Sequence, residues 1–337
     1  MTAVVGSVRA RLVESVRAGL SGRGIRNLLR EQPVIPLIVL LAVLVVLSEI
    51  VRPGIVSPNW AGVMVRAAIP LAILAACQTL TMLTGGIDLS VAAVASMTGF
   101  LVATLVGDAG LGTAIVITLI AAALAGLLNG IGVGIFRVHP LIMTLGMSLV
   151  VLGLANVWQV QRVQTGAGVP SELRLLGAGT FFGVVPNSLL LFIPVAAVIL
   201  LGLRRSGYGR LLYAVGDNPI AARLSGVRSW QVLIVLYVIS AVLAGVAGFL
   251  YAGLTNTASV SLVDTALLPS VAAAVIGGTS ILGGRGGYGG TLVGALILTV
   301  IISLLSSLGY PEAVRQVLFG SIIVFVAAAY ARVTAES

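Results

Sequence analysis

The chain has no lysine: all 19 of its basic residues are arginine. That absence excludes a Schiff-base lysine and the lysine of a phosphate-binding loop, so the chain cannot hydrolyse ATP through a P-loop of its own. Cysteine and histidine occur once each, as Cys77 and His139. A lone cysteine forms no internal disulfide, and the pair cannot build a Cys/His metal cluster. Charge is scarce altogether, at 9% of 337 residues, where soluble domains carry roughly 25%. Apolar residues take its place: 59% are hydrophobic and the mean hydropathy is +1.16. Such a chain is an integral membrane protein. Its net charge of +9 suits membrane orientation by arginine better than nucleic-acid binding, and no nucleic-acid partner is expected.

A helix needs about 20 residues to cross the hydrocarbon core. That rule predicts an all-α polytopic protein with about ten transmembrane helices, at 34–51, 67–84, 90–106, 111–136, 140–159, 188–203, 229–253, 267–282, 289–307 and 314–330. With both termini in the cytoplasm, fourteen arginines fall inside and five outside, while the ten acids divide evenly. Only the arginines carry an orientation signal, as the positive-inside rule requires. Residues 1–33 form a basic cytoplasmic N-terminal segment, 34–332 the membrane domain, and 333–337 a tail. Spans 1–5 and 6–10 suggest an inverted repeat of five. Two small-residue ladders, Gly126/Gly130/Gly134 and Gly286/Gly290/Gly294, are expected to serve close helix packing.

The interior segment Arg204–Arg228 is the one long polar, arginine-dense stretch between spans. Within it Asn218 can N-cap a short helix, Pro219 suits its first position, and Gly226 can take the left-handed closing position. Two turns, Pro219–Ser225, are too short to be stable alone. Ile220 and Leu224, four apart, share a face, and Ala221, Ala222 and Ser225 keep the relief around them shallow. Such a helix suggests docking onto a partner; an ordinary connecting loop is the plain alternative.

Two glycine-broken stretches flank spans. In LTGGIDLSV, Gly85 and Gly86 interrupt the helix and Asp88 can cap the next one; alternatively, broken backbone and carboxylate line a polar passage. Gly277–Gly290 has eight glycines in fourteen residues, too many for a firm helix. Gly277, Gly278 and Thr279 there, with Asn129, Thr144 and Asn156 in the spans, either contact a polar solute or bond neighbouring helices. No paired carboxylates or Ser/His/acid set supports catalysis, so the chain is expected to be no enzyme. The scarcity of acids within spans argues against a proton- or ion-coupled carrier.

These stretches resemble the permease subunits of bacterial ABC-type monosaccharide importers, the ribose, galactose and xylose type within the branched-chain amino-acid permease superfamily. LTGGIDLSV (Leu83–Val91), YAVGDNPIAARLSGV (Tyr213–Val227) and AAAVIGGTSILGGRGGYGGTLVGAL (Ala272–Leu296) carry the resemblance, which extends over most of the chain. It implies that Gly216, Asn218, Pro219, Ile220, Ala221, Ala222, Leu224 and Gly226 couple to a separate ATPase, which binds the ATP and Mg itself; no cofactor is expected in this chain. It further implies a second permease copy, in a homodimer or heterodimer, an extracytoplasmic sugar-binding protein, and location in the bacterial inner membrane. Two departures stand out. Ile220 occupies a position where importer permeases often have Glu, and Leu267-Leu268-Pro269 replaces an acidic-Leu-Asp run. Another small solute (a polyol, an autoinducer furanose or a branched-chain amino acid) and a stand-alone secondary carrier are the alternative readings.

Overall fold

The computed structural model describes residues 34–162 and 168–335, with side chains through residue 325. The basic segment 1–33 lies outside the described residues. Five long helices come first: α1 (Val34–Val51), α2 (Pro58–Leu83), α3 (Val91–Ala109), α4 (Leu111–Gly134) and α5 (Pro140–Arg162). A short helix α6 (Ser171–Ala178) and a two-strand hairpin, β1 (Thr180–Phe181) with β2 (Val185–Pro186), follow on one side of the bundle. Then come α7 (Leu189–Arg205), α8 (Gly207–Asp217), α9 (Pro219–Leu224) and α10 (Ser229–Thr255). The chain ends with α11 (Leu267–Ile276), α12 (Tyr288–Ser307) and α13 (Glu312–Ala335). Because α13 continues to Ala335, the boundary drawn at 332 falls inside a helix.

Among the described residues, seven helices are long and apolar enough to cross a membrane unaided: α1 to α5, α10 and α12. The apolar run at 188–203 qualifies only together with α8, from which α7 is bent by 66°. The run at 267–282 is not a full-length helix. Its ten-residue α11 rises only about 15 Å, and the glycines from 277 onward replace the rest with loop. The second span starts well before residue 67, because Ser57 caps it, its Oγ accepting from the Trp60 N–H at 3.2 Å, and Pro58 occupies the first turn.

Helix α10 is the hub, meeting α2, α3, α4 and α6. Its small residues Ser240, Ala241, Ala244, Gly245, Ala247 and Gly248 are buried, so neighbouring backbones come close. The ladder on α4 serves this contact. A Cβ at Gly130 would lie 2.6 Å from the Ile234 Cα, and one at Gly134 2.9 Å from the Trp230 carbonyl oxygen; one at Gly126 would run into the Tyr237 carbonyl. Gly290 and Gly294 bring α12 against α11 in the same way, at the Gly277 and Ala273 carbonyls. Gly286 is a correction to the second ladder. It lies in the loop before α12 at φ +123°, with Thr279 where a Cβ would go.

The ends of α2, α4 and α7 and the starts of α5, α10 and α12 share one side of the bundle. That side carries Arg137, Arg204, Arg205, Arg210, Arg223, Arg228 and Arg285 against the carboxylates Asp88 and Asp217. On the opposite side Arg52, Arg66, Arg162, Arg174 and Arg315 meet five carboxylates, at 49, 108, 172, 264 and 312. Two of those arginines are paired, Arg162 with Asp108 and Arg315 with Glu312 at 2.9 Å. Among the described residues the two sides therefore differ more in acids, two against five, than in arginines, seven against five.

Candidate functional site: a short surface helix and a glycine junction

The six-residue helix α9 is closed at both ends by local chemistry. Asn218, in extended conformation, accepts from the backbone N–H groups of Ile220 at 3.1 Å and Ala221 at 2.9 Å through its Oδ1. At the other end Val227 N–H donates to the Ala222 carbonyl and Gly226 N–H to the Arg223 carbonyl, both at 3.0 Å. This is a Schellman closure, and it requires the left-handed φ of +85° that Gly226 supplies. Ala222 is 6% exposed and is buried with Leu212, Val215 and Leu236. The sequence reading had placed it on the shallow outer relief; it is instead the foot of the helix. Ile220 and Leu224 point outward, 64% and 85% exposed. Two large apolar side chains thus stand free in the most arginine-rich part of the molecule.

Helix α8, in a segment whose glycines suggest loop, carries α9. Ser206 starts it by accepting from Gly209 N–H at 2.9 Å, and its apolar stripe, Leu212 and Val215, is buried against Leu80, Leu83, Leu203 and Tyr288. Its last turn reaches the two glycine-broken loops. Gly284 N–H donates to the Leu83 carbonyl at 3.0 Å. A Cβ on Gly216 would run into that same carbonyl and lie 2.7 Å from Gly284 N. Gly283 is packed as closely on Gly216, and Gly284 on Asp217. Tyr213 Oη adds a bond to the Gly286 carbonyl at 2.9 Å. Three stretches distant in sequence therefore meet backbone to backbone, with glycine on the approaching faces.

Beneath the junction lies a buried polar cluster. Asp88 accepts at the entry to α3 and reaches α10 as well. Its Oδ1 accepts from Ser90 N–H at 2.9 Å and Ser90 Oγ at 2.6 Å, and its Oδ2 from Ser240 Oγ at 3.2 Å on α10. Gln78 holds the Asp88 backbone through Nε2 to its carbonyl at 2.8 Å and Oε1 from its N–H at 3.3 Å. Thr144 accepts from Leu89 N–H at 3.0 Å, and Asn129 Nδ2 donates to Ser90 Oγ at 2.9 Å. The cluster fastens loop 84–90 to α2, α4, α5 and α10 at once.

The candidates for a solute passage therefore divide into three. Asp88, Asn129 and Thr144 are together and buried, with Gly86 beside them and Gly85 on the surface. Gly277, Gly278 and Thr279 belong to the other loop; Gly277 and Gly278 border a cavity of about 460 Å³ that Arg204, Tyr213 and Gly286–Gly290 also line. Asn156 stands apart on an exposed face of α5, its Nδ2 donating back to the Leu152 carbonyl at 2.8 Å. Gln78 and Ser240 complete the cluster. Ser240 had no sequence signal, because a serine in an apolar helix ordinarily bonds its own backbone.

A multi-helix apolar bundle whose broken loops are buried against one another and whose one short capped helix stands free defines the class: a multi-pass membrane protein built as a permease. The chain belongs to the family described as branched-chain amino acid transport system / permease component, which matches residues 61–327. It is 32% identical over 301 residues to the fructose import permease protein FrcC of Rhizobium meliloti, covering 87% of this chain and 84% of that protein. With the ribose import permease protein RbsC of Bacillus subtilis it shares 31% identity over 285 residues, 84% of this chain and 88% of the relative. With the autoinducer 2 import system permease protein LsrC of Escherichia coli the figure is 34% over 281 residues, 80% of each. No solved structure matches. The chain is a transport component of the inner membrane.

Proposed function

We propose that this chain is the membrane-spanning subunit of an ATP-driven ABC importer and moves a monosaccharide delivered by an extracytoplasmic binding protein. The arrangement that carries this reading is α9: a helix too short to persist alone, capped at both ends, seated by Ala222, with Ile220 and Leu224 free to enter a partner's cleft. Burying both side chains contributes roughly 3–6 kcal/mol, enough to make this pair the centre of an interface. The partner is a separate ATPase, since a chain without lysine has no phosphate-loop of its own. Relatives named for fructose, ribose and autoinducer 2 import support a sugar or a sugar-like furanose as the solute.

In this reading both termini and α9 lie in the cytoplasm, and two permease chains enclose the pathway. Nucleotide-driven movement of the ATPases displaces α9. Because α8 touches Leu83 and Gly284 backbone to backbone, the displacement reaches loops 84–90 and 277–287 without a flexible side chain between. Each loop leads directly into a helix, α3 or α12, so a shift at the junction tilts both.

Leu224→Asp tests the docking role. The variant is expected to insert normally and to lose co-purification with the ATPase; undiminished co-purification would refute the assignment. A second reading, import of a branched-chain amino acid, takes its support from the family's description. Competition of uptake by a panel of sugars and of branched-chain amino acids separates the two. Uptake by this chain alone in liposomes, without ATP, would instead establish a stand-alone carrier.

A further inference from the structure

On the arginine-rich side a cavity of about 360 Å³ opens between the end of α4, the start of α5, the inner flank of α9 and the start of α10. Its wall carries three guanidinium side chains, Arg137, Arg223 and Arg228, and no carboxylate. Among the described residues none of the three is in an ion pair. Arg223 uses its Nε on the Pro219 carbonyl at 3.2 Å, which orients the guanidinium without neutralising it.

Two hydroxyl groups on the same wall also lack partners. Tyr237 is 1% exposed, and neither its Oη nor the buried Ser229 Oγ has a hydrogen bond within the described residues. An unsatisfied buried hydroxyl costs about 1–3 kcal/mol, a cost that an acceptor in the cavity would remove. The start of α10 supplies a third kind of donor. This helix of 27 residues has no side-chain cap at its start and no acidic residue in its first turn; the Ser229 and Gln231 N–H groups bond the Val227 and Arg228 carbonyls, so what the start adds is the positive end of the helix dipole. Guanidinium groups and orphan hydroxyls are donors, the helix dipole is positive here, and all three favour an anionic acceptor.

We propose that this cavity binds a phosphate group. Its volume exceeds what a bare phosphate fills, leaving room for the ester it is attached to. Arginine offers paired N–H groups matched to phosphate oxygens. Two sources share this chemistry. One is the headgroup of an anionic phospholipid, which basic pockets between membrane helices can hold; Trp230 on the wall and the exposed Phe136 beside Arg137 are placed for it. The other is a soluble phosphate ester. The proposal does not rest on the docking role of α9, since Arg137, Arg228, Ser229 and Tyr237 lie outside that helix.

The test uses the full chain in lipid nanodiscs made of phosphatidylcholine alone or of phosphatidylcholine with phosphatidylglycerol. Thermal stability is measured in each, then with added inorganic phosphate or glucose 6-phosphate, and lipid retained after detergent extraction is counted by native mass spectrometry. Stabilisation and retention specific to phosphatidylglycerol assign the site to a headgroup; stabilisation by the soluble phosphates alone assigns it to an ester. In the R137Q/R228Q variant either response is expected to weaken by about tenfold or more per guanidinium, while R205Q, outside the cavity, leaves it unchanged. Tyr237→Phe keeps the ring and removes the orphan hydroxyl, so it is expected to weaken the phosphate response without lowering basal stability. That variant decides the matter if the double arginine variant fails to fold. No stabilisation by any of these probes, or the same response in the variants as in the native chain, would overturn the proposal.

Discussion

Gly216→Ala is the most informative single change, because two effects of known size oppose each other at that position. Gly216 lies in the last turn of α8, where alanine is favoured over glycine by about 1 kcal/mol in a helix. Propensity alone therefore predicts a stabilised helix. The added Cβ, however, would run into the Leu83 carbonyl and lie 2.7 Å from Gly284 N, within the 3.0 Å hydrogen bond between them. Backbone stands on both sides, so no side chain can swing away. Breaking that bond and leaving its groups unpaired costs about 1–3 kcal/mol, and forcing the extra methyl into a close-packed contact about 1–3 more. Steric cost outweighs propensity, and the net effect is a destabilisation of about 1–5 kcal/mol confined to the junction.

The consequence for function follows from where the cost falls. The caps of α9 and its exposed face are untouched, so association with the ATPase should persist while uptake per ATP hydrolysed drops. The assay is ATP hydrolysis and solute uptake measured together in proteoliposomes containing the assembled importer. Gly226→Ala is the matched control: its site has φ +85° and open space around a Cβ, so it costs only the left-handed penalty of about 1–2 kcal/mol and should weaken α9 itself. Unchanged coupling in Gly216→Ala, or loss of ATPase association in it, would refute the junction argument.

Other outcomes can be checked alongside. Asn218→Ala removes both capping bonds to α9 and should cost about 1 kcal/mol, read as weaker ATPase pull-down. Gly130→Leu places a side chain where the Ile234 backbone already is and should abolish folded yield, whereas Gly146→Ala, inside α5 with open space around its Cβ, should keep the yield and stabilise by up to about 1 kcal/mol. Asp88→Leu leaves Ser90 and Ser240 without their shared acceptor and should destabilise by several kcal/mol, of order one unsatisfied group's 1–3 kcal/mol for each lost partner. Asp88→Asn, which keeps one acceptor oxygen, should cost less; limited proteolysis in detergent ranks the two.

Sequence alone determined what depends on composition and on neighbours within a turn. The scarcity of charge made the chain a membrane protein, and the missing lysine excluded its own P-loop chemistry. The ends of α9 were legible because Asn218, Pro219 and Gly226 act on backbone groups only two to five residues away. Even α8 had a signal, Leu212 and Val215 three apart, but its glycines at 207, 209 and 216 masked it.

Only the tertiary structure decided which surface each residue met. Ala222 and Ile220 lie in the same two turns, yet one is the buried foot of α9 and the other its free face, because α8 lies on a single side of the helix. Gly286 shares the spacing of a packing ladder but lies in a loop, since the glycines before it end the helix that the spacing presumes. Asp88 accepts the Ser90 N–H at the entry to α3, as its position suggested, but is also bonded to Ser240, 152 residues away. The meeting of Leu83, Gly216 and Gly284 depends on three separate chain crossings arriving at one point. Local pattern fixes what each segment can form; only the packed bundle fixes which backbones come close enough to move together.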